Sequence, residues 1–224
     1  MEVRKELTFK QFLAEKSPEE FQDFLATNCK PYFEKVGDPL KFPMYRGTDN
    51  PGKPIELLID GVLTTCFIRS PRTDRSPLDT SRQLTQVIDT LFENKFGWRP
   101  RSTGTFAYGK FTKSAVTMYG DSYQIIPIGN FSYLWNPNIP DLTPEVRKLI
   151  RRHYDKSQVP IIGATTKYTP EQVDTLIPGL SLMVDGYQDT GLKKAITGPT
   201  REIMLKCDSY LLIPTGHVSF LSDE

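Results

Sequence analysis

Apolar positions along the chain fall into two periods, one helical and one alternating. Behind Ser17-Pro18-Glu19-Glu20, the residues Phe21, Phe24, Leu25, Cys29, Tyr32 and Phe33 recur at helical spacing. The Ser-x-x-Glu pattern is a capping box, and proline at the first helical position gives up no hydrogen bond. Pro31 should kink or end this helix. Ser76-Pro77 opens a second helical segment, where Leu84, Val87, Ile88, Leu91 and Phe92 form one stripe and Gly97 is a natural stop. Thr143-Pro144-Glu145 begins a shorter helix with Val146, Leu149 and Ile150 inward. Arg147, Lys148, Arg151 and Arg152 make its wet face, and His153 is expected to be partly buried. Thr169-Pro170-Glu171-Gln172 starts a fourth helix through Val173, Leu176 and Ile177, closed by Pro178-Gly179.

Strand-like runs lie between and after these helices, at 55–59, 62–68, 105–111, 123–133, 180–185, 201–206, 209–214 and 217–221. Helices cluster early and strands late, which predicts an α+β fold with mixed, largely antiparallel sheets. Residues 1–40 read as an N-terminal helical extension and 41–224 as a single α+β domain. There is one internal echo: Asp121-Ser122-Tyr123-Gln124-Ile125-Ile126-Pro127-Ile128-Gly129 returns as Asp208-Ser209-Tyr210-Leu211-Leu212-Ile213-Pro214-Thr215-Gly216. Two similar edge hairpins, broken by proline and glycine, account for it.

Composition narrows the function classes. Among 224 residues, 28 Lys+Arg face 27 Asp+Glu, so the surface as a whole is not built as a nucleic-acid glove. Cys29, Cys66 and Cys207 lie far apart and only His153 and His217 accompany them, so neither a disulfide framework nor a metal site is expected. The first residues carry both charges with no apolar run behind them, and no stretch has the length of a membrane span. A cytoplasmic protein is expected, in a host cytoplasm or carried with a virion. The densest positive stretch, Arg69-Ser70-Pro71-Arg72-Thr73-Asp74-Arg75 with Arg82, Arg99 and Arg101, suits nucleotide or nucleic-acid phosphates. It equally suits a solvated loop with internal Arg–Asp pairs.

Three short motifs carry candidate chemistry: Met44-Tyr45-Arg46-Gly47, then Arg101-Ser102-Thr103-Gly104-Thr105-Phe106-Ala107, then Thr200-Arg201-Glu202-Ile203-Met204-Leu205. In this order they resemble the Arg-Ser-Glu signature of the mono-ADP-ribosyltransferases. The aromatic Pro-x-Gly strands are also similar to proteins of tailed phages. The resemblance covers roughly residues 40–215 and implies an ADP-ribosyltransferase-like fold that binds NAD as a substrate. It implies Arg46 and Gly47 at the phosphates, Ser102 and Thr103 beside the nicotinamide, Phe106 and Tyr108 as stacking aromatics, and Glu202 as the catalytic carboxylate. Gly104 stands where the family has a second serine. Thr200 stands where arginine-modifying members carry a second acid, so the resemblance disfavours arginine as the target and leaves another acceptor, or plain hydrolysis of NAD, open. A rival register sets Asp208 and Tyr210, or Asp121 and Tyr123, before the Pro-x-Gly turns and leaves the glutamate missing.

Each residue also has a plain reading: Arg46 in a surface turn, Ser102 and Thr103 opening a strand, Glu202 a solvated edge charge. On that reading the chain is a non-enzymatic phage or virion-associated contact protein, for which scattered prolines and ten tyrosines suit a surface built for protein partners.

Overall fold

The computed structural model describes residues 25–38, 41–59, 62–73, 80–109, 119–155, 163 and 165–215. Among the described residues, a helical stretch covers 25–28, and after it come α1 Lys30–Val36, β1 Met44–Thr48, β2 Lys53–Ile59, β3 Val62–Arg69, α2 Arg82–Phe96, α3 Pro100–Thr103, β4 Thr105–Tyr108, β5 Asp121–Trp135, α4 Leu142–His153, α5 Pro170–Asp185, α6 Leu192–Thr197 and β6 Glu202–Pro214. The fold is α+β, and every strand pairing is antiparallel.

Strands run in the order β2-β3-β6-β4-β1-β5, and β5 pairs again with β6. The pairings β1–β4, β4–β6, β6–β5 and β5–β1 form a ring, so the sheet curls into a small barrel-like shape with the β2–β3 hairpin attached outside. Strand β6 is long enough to serve two partners along one edge. Leu205 to Glu202 pair with Thr105 to Tyr108 on β4, and Leu212 to Tyr210 pair with Phe67 to Arg69 on β3.

Alternation along the strands separates two cores. Ile203, Leu205, Ala107, Tyr133 and Trp135 join a core that also takes Tyr32 and Val36 of α1 and Leu192 and Ile196 of α6. Met204, Phe106 and Leu134 face the other way and meet Leu84, Ile88 and Phe92 of α2, Val146 and Ile150 of α4, and Leu176, Leu180 and Val184 of α5.

Several expectations change here. Residues 180–185 are helical, not a strand, because α5 continues through Pro178 and Gly179 to Asp185. Leu176, Leu180 and Val184 keep one buried face at helical spacing, while Leu182 is 74% exposed. Gly179 is needed for that packing, since a Cβ there would lie 2.5 Å from Leu149 Cδ1 of α4. The helix ahead of Pro31 does break, as expected: it ends at 28, Cys29 interrupts it, and Pro31 sits in the first turn of the new helix α1, where its ring is tolerated. Helix α4 starts one step earlier than Thr143 would set it, with Asp141 as cap accepting from Thr143 N–H. His153 is exposed.

The echo is not a pair of hairpins. Its two copies are partners of one another, with Ile125 opposite Leu212 at the centre and Tyr123 opposite Pro214. Pro127 lies inside β5, just before a bulge between Ile128 and Phe131 that Gly129 enters at φ 72°. The Ser17-Pro18 and Ser76-Pro77 signals, 110–111 of the third run, and the 217–221 run lie outside the described residues.

Candidate functional site

The site is assembled at the C-terminal end of α2. Gly97 takes the left-handed conformation at φ 75° and its N–H bonds Glu93 O, so the chain turns sharply after Phe96. Trp98 is buried behind the turn, and Arg99 pairs with Glu93 at 2.6 Å. Pro100 then starts the single turn α3, which carries Arg101 and Ser102.

Asp89, 1% exposed on the inner face of α2, receives this turn. Its Oδ1 accepts Arg101 N–H at 2.7 Å, and its Oδ2 accepts the Ser102 hydroxyl. Burial raises the Asp89 carboxyl above the ordinary aspartate value, against the Ser102 hydrogen bond that favours the charged form. Arg101 reaches back toward β6. Its Nη1 lies 3.7 Å from Glu202 Oε2, with both side chains largely buried at 13% and 7% exposure. Its Nη2 donates to Thr143 Oγ1 at 3.0 Å, and its guanidinium lies 4.9 Å over the Phe106 ring.

Glu202 is the first residue of β6, opposite Tyr108 of β4, and its N–H donates to Pro140 O at 2.7 Å. The Tyr108 phenol is pushed up by burial first and then by the charge of Glu202. Tyr187 rises for the same two reasons in the same order. Tyr108 is also opposite Tyr45, the neighbour of Arg46 on β1. Arg46 donates from Nη1 to Phe106 O at 2.8 Å. Burial lowers its pKa; the phenols of Tyr210, Tyr108 and Tyr119 work against that, and Arg69 adds to it.

Ser102 and Glu202 therefore belong to one buried polar cluster, with Arg101 between them. Arg46 stands on β1, beyond β4, and alternates to the opposite face of the sheet from Glu202, so the structure does not bring it into the Ser102–Glu202 cluster, although the Tyr108 phenol acts on both. Gly47 is buried in β1, and Thr103 spends its hydroxyl on Arg99 O at 2.9 Å. Phe106, expected as a stacking aromatic, is 8% exposed beneath Arg101. In the rival register, Tyr210 and Tyr123 are buried strand residues.

Arg101 and Asp89 are the members that motif reading missed. Asp89 was visible as a carboxylate following Ile88 on the apolar stripe of α2, a position where a charge needs a partner. Arg101 was visible as the first residue of the Ser102 motif and as part of a basic run, and neither gave it a role. Among the described residues, no group of three or more His, Cys, Asp or Glu is placed to hold a metal, and no helix is long and apolar enough to cross a membrane.

Fold and site together define an α+β protein whose small antiparallel barrel-like sheet carries a buried arginine–glutamate cluster at one end. Compared with models of known families, with curated proteins and with solved structures, the chain matches none.

Proposed function

We propose that this protein splits NAD at the nicotinamide–ribose bond and passes ADP-ribose to a macromolecular acceptor or to water. One observation carries the reading. The three motifs, distant in sequence, fall at the neighbouring strands β1, β4 and β6, with Tyr45 opposite Tyr108 and Tyr108 opposite Glu202. At the usual strand spacing, this separates the main chains beside Arg46 and at Glu202 by roughly 10 Å. Arg46 follows Tyr45 and so alternates to the face opposite Glu202, and a dinucleotide that used both would pass around the end of β4.

Arg46 would hold pyrophosphate oxygens through its planar fork. Glu202 would face the ribose, where its negative charge stabilises the positive charge that develops at C1′ as the bond to the nicotinamide nitrogen breaks. The bonding electron pair leaves with nicotinamide and discharges its ring. Water or an acceptor nucleophile then adds at C1′ and releases its proton. Asp89 fixes Ser102, and Arg101 fixes the Glu202 carboxylate through Oε2.

Nicotinamide release from NAD, followed by chromatography, tests the proposal. The wild-type chain should release it, and Glu202→Gln should lose on the order of 10²–10³ in rate, as other electrostatic stabilisers do on removal. A wild-type chain that releases no nicotinamide, alone or with lysate as a source of acceptors, sinks the reading.

A second reading is a non-enzymatic contact module of a phage or virion. Val62 and Leu63 favour it, standing 54% and 62% exposed on the β2–β3 hairpin. So does the engagement of Arg101 and Glu202 with each other.

A further inference from the structure

Two arginines on strands that do not pair with each other converge where β6 changes partners. Arg69, the last residue of β3, is opposite Tyr210, which is opposite Pro127 of β5. Pro127, Ile125 and Tyr123 alternate onto one face, and Tyr123 is opposite Arg46 of β1. Directly paired side chains share a face of the sheet, so Arg46, Tyr210 and Arg69 point to the same side. Contacts agree with the register. Arg69 Nη1 donates to Thr48 Oγ1 at 3.0 Å and to Asn50 O, which ties the end of β3 to β1 close to Arg46.

Arg46 has capacity left over. Its Nη1 is used by Phe106 O, but its Nε is buried with no hydrogen-bond acceptor among the described residues. Among the described residues, the titratable groups that act on its guanidinium are the phenols of Tyr210, Tyr108 and Tyr119 and the cation Arg69, and none is a carboxylate. Two like charges on one face, one of them with a buried N–H to spare, cost free energy that a bound dianion recovers. Residues 206–209 of β6 lie between the segments paired with β4 and β3, so the edge there is split beside these cations.

We infer that Arg46, Arg69 and Tyr210 form a site for the diphosphate of a small nucleotide, with Arg69 supplying the second cation. The inference rests on the proposed NAD activity for the identity of the nucleotide; the face that carries both arginines is opposite that of Glu202, so this site holds the diphosphate and takes no part at C1′. A near-neutral chain with two clustered arginines fits a compact diphosphate better than a nucleic-acid backbone, which needs an extended row of cations.

Isothermal titration of the full chain with ADP-ribose, ADP, AMP and adenosine tests it. ADP-ribose and ADP should bind more tightly than AMP, and adenosine weakest. Arg69→Gln should weaken ADP about tenfold to a hundredfold, the usual worth of a charge-assisted hydrogen bond. Arg69→Lys keeps the charge without the fork and should lose a smaller factor; it serves as the readout if Arg69→Gln fails to fold by circular dichroism. Arg151→Gln, an exposed charge on α4, should change nothing. The inference is overturned if the wild-type chain does not bind ADP, if adenosine binds as well as ADP, if a single-stranded oligonucleotide binds more tightly than ADP, or if the readout variant of Arg69 binds like the wild type. ADP binding that depends on Arg69 without NAD cleavage leaves the site standing and removes the enzymatic reading. NAD cleavage indifferent to Arg69 does the reverse.

Discussion

Arg101 and Glu202 are opposite charges 3.7 Å apart with most of both side chains out of water. Such a pair has to recover the cost of desolvation from geometry and further hydrogen bonds, and Arg101 has them in Thr143 and the Phe106 ring. Removing one member should hurt more than removing both. Arg101→Met leaves a buried carboxylate behind, and Glu202→Gln leaves a buried guanidinium, each at a cost of about 3–5 kcal/mol. The double variant should lose less than the two single losses added together, and urea unfolding of the four proteins measures the difference. Strict additivity would mean that the charges do not interact across that gap. The same pair marks what motif reading reached and what it missed. Ser102 and Glu202 were visible because a hydroxyl pair before an aromatic, and a glutamate opening an apolar strand, are local patterns. Arg101 binds Glu202 across about a hundred residues of chain, and no local pattern records that.

The stripe and the stop of helix α2 were legible, because each is written within a few residues, but its start was not: Ser81, not Ser76, caps it and accepts from Leu84 N–H. Gly97 shows how local the stop is. Nothing lies within 4 Å of a Cβ built on it, so its φ of 75° is the whole requirement. Gly97→Val should therefore cost about 1 kcal/mol or more from backbone strain alone, with no steric clash added. It should also weaken nucleotide binding, since the turn after Gly97 delivers Arg101 and Ser102. Thermal unfolding and ADP-ribose titration check the two halves, and unchanged stability would show that another residue absorbs the turn. Helix α5 was misread for the converse reason. Pro178-Gly179 normally ends a helix, but here Gly179 permits close contact with Leu149, and packing overrides the local signal. Strand β6 was read as two strands because Lys206, Cys207 and Asp208 interrupt its apolar run. Those residues mark the change of partner from β4 to β3, which only the tertiary arrangement reveals.

The ring of strands and the hairpin outside it should not be equally stable. Strands β5 and β6 pair over most of their length and are lined on both sides by buried side chains such as Ile125, Ile126, Leu211 and Leu212. Among the described residues, the β2–β3 hairpin pairs with that ring through Phe67, Ile68 and Arg69, and β2 pairs with β3 alone. Its outer strand bears Lys53, Pro54 and Glu56 in exposed positions, residues that discourage pairing with another chain. Opening the hairpin gives up three paired residues and the packing of Leu57 and Cys66 on one side of the core, whereas opening β5 from β6 dismantles the core itself. Native-state hydrogen exchange should accordingly show amides of residues 55–66 opening at a free energy well below the global value, with those of 123–126 and 203–213 exchanging only through global unfolding. Because Arg69 closes the hairpin onto Thr48 of β1, bound ADP-ribose should slow exchange in β3 as well as in the globally limited amides of β5 and β6, since opening either releases the ligand. A hairpin as protected as β6 in the free protein would mean that its attachment is stronger than three pairs provide. A hairpin indifferent to ADP-ribose would detach Arg69 from the nucleotide.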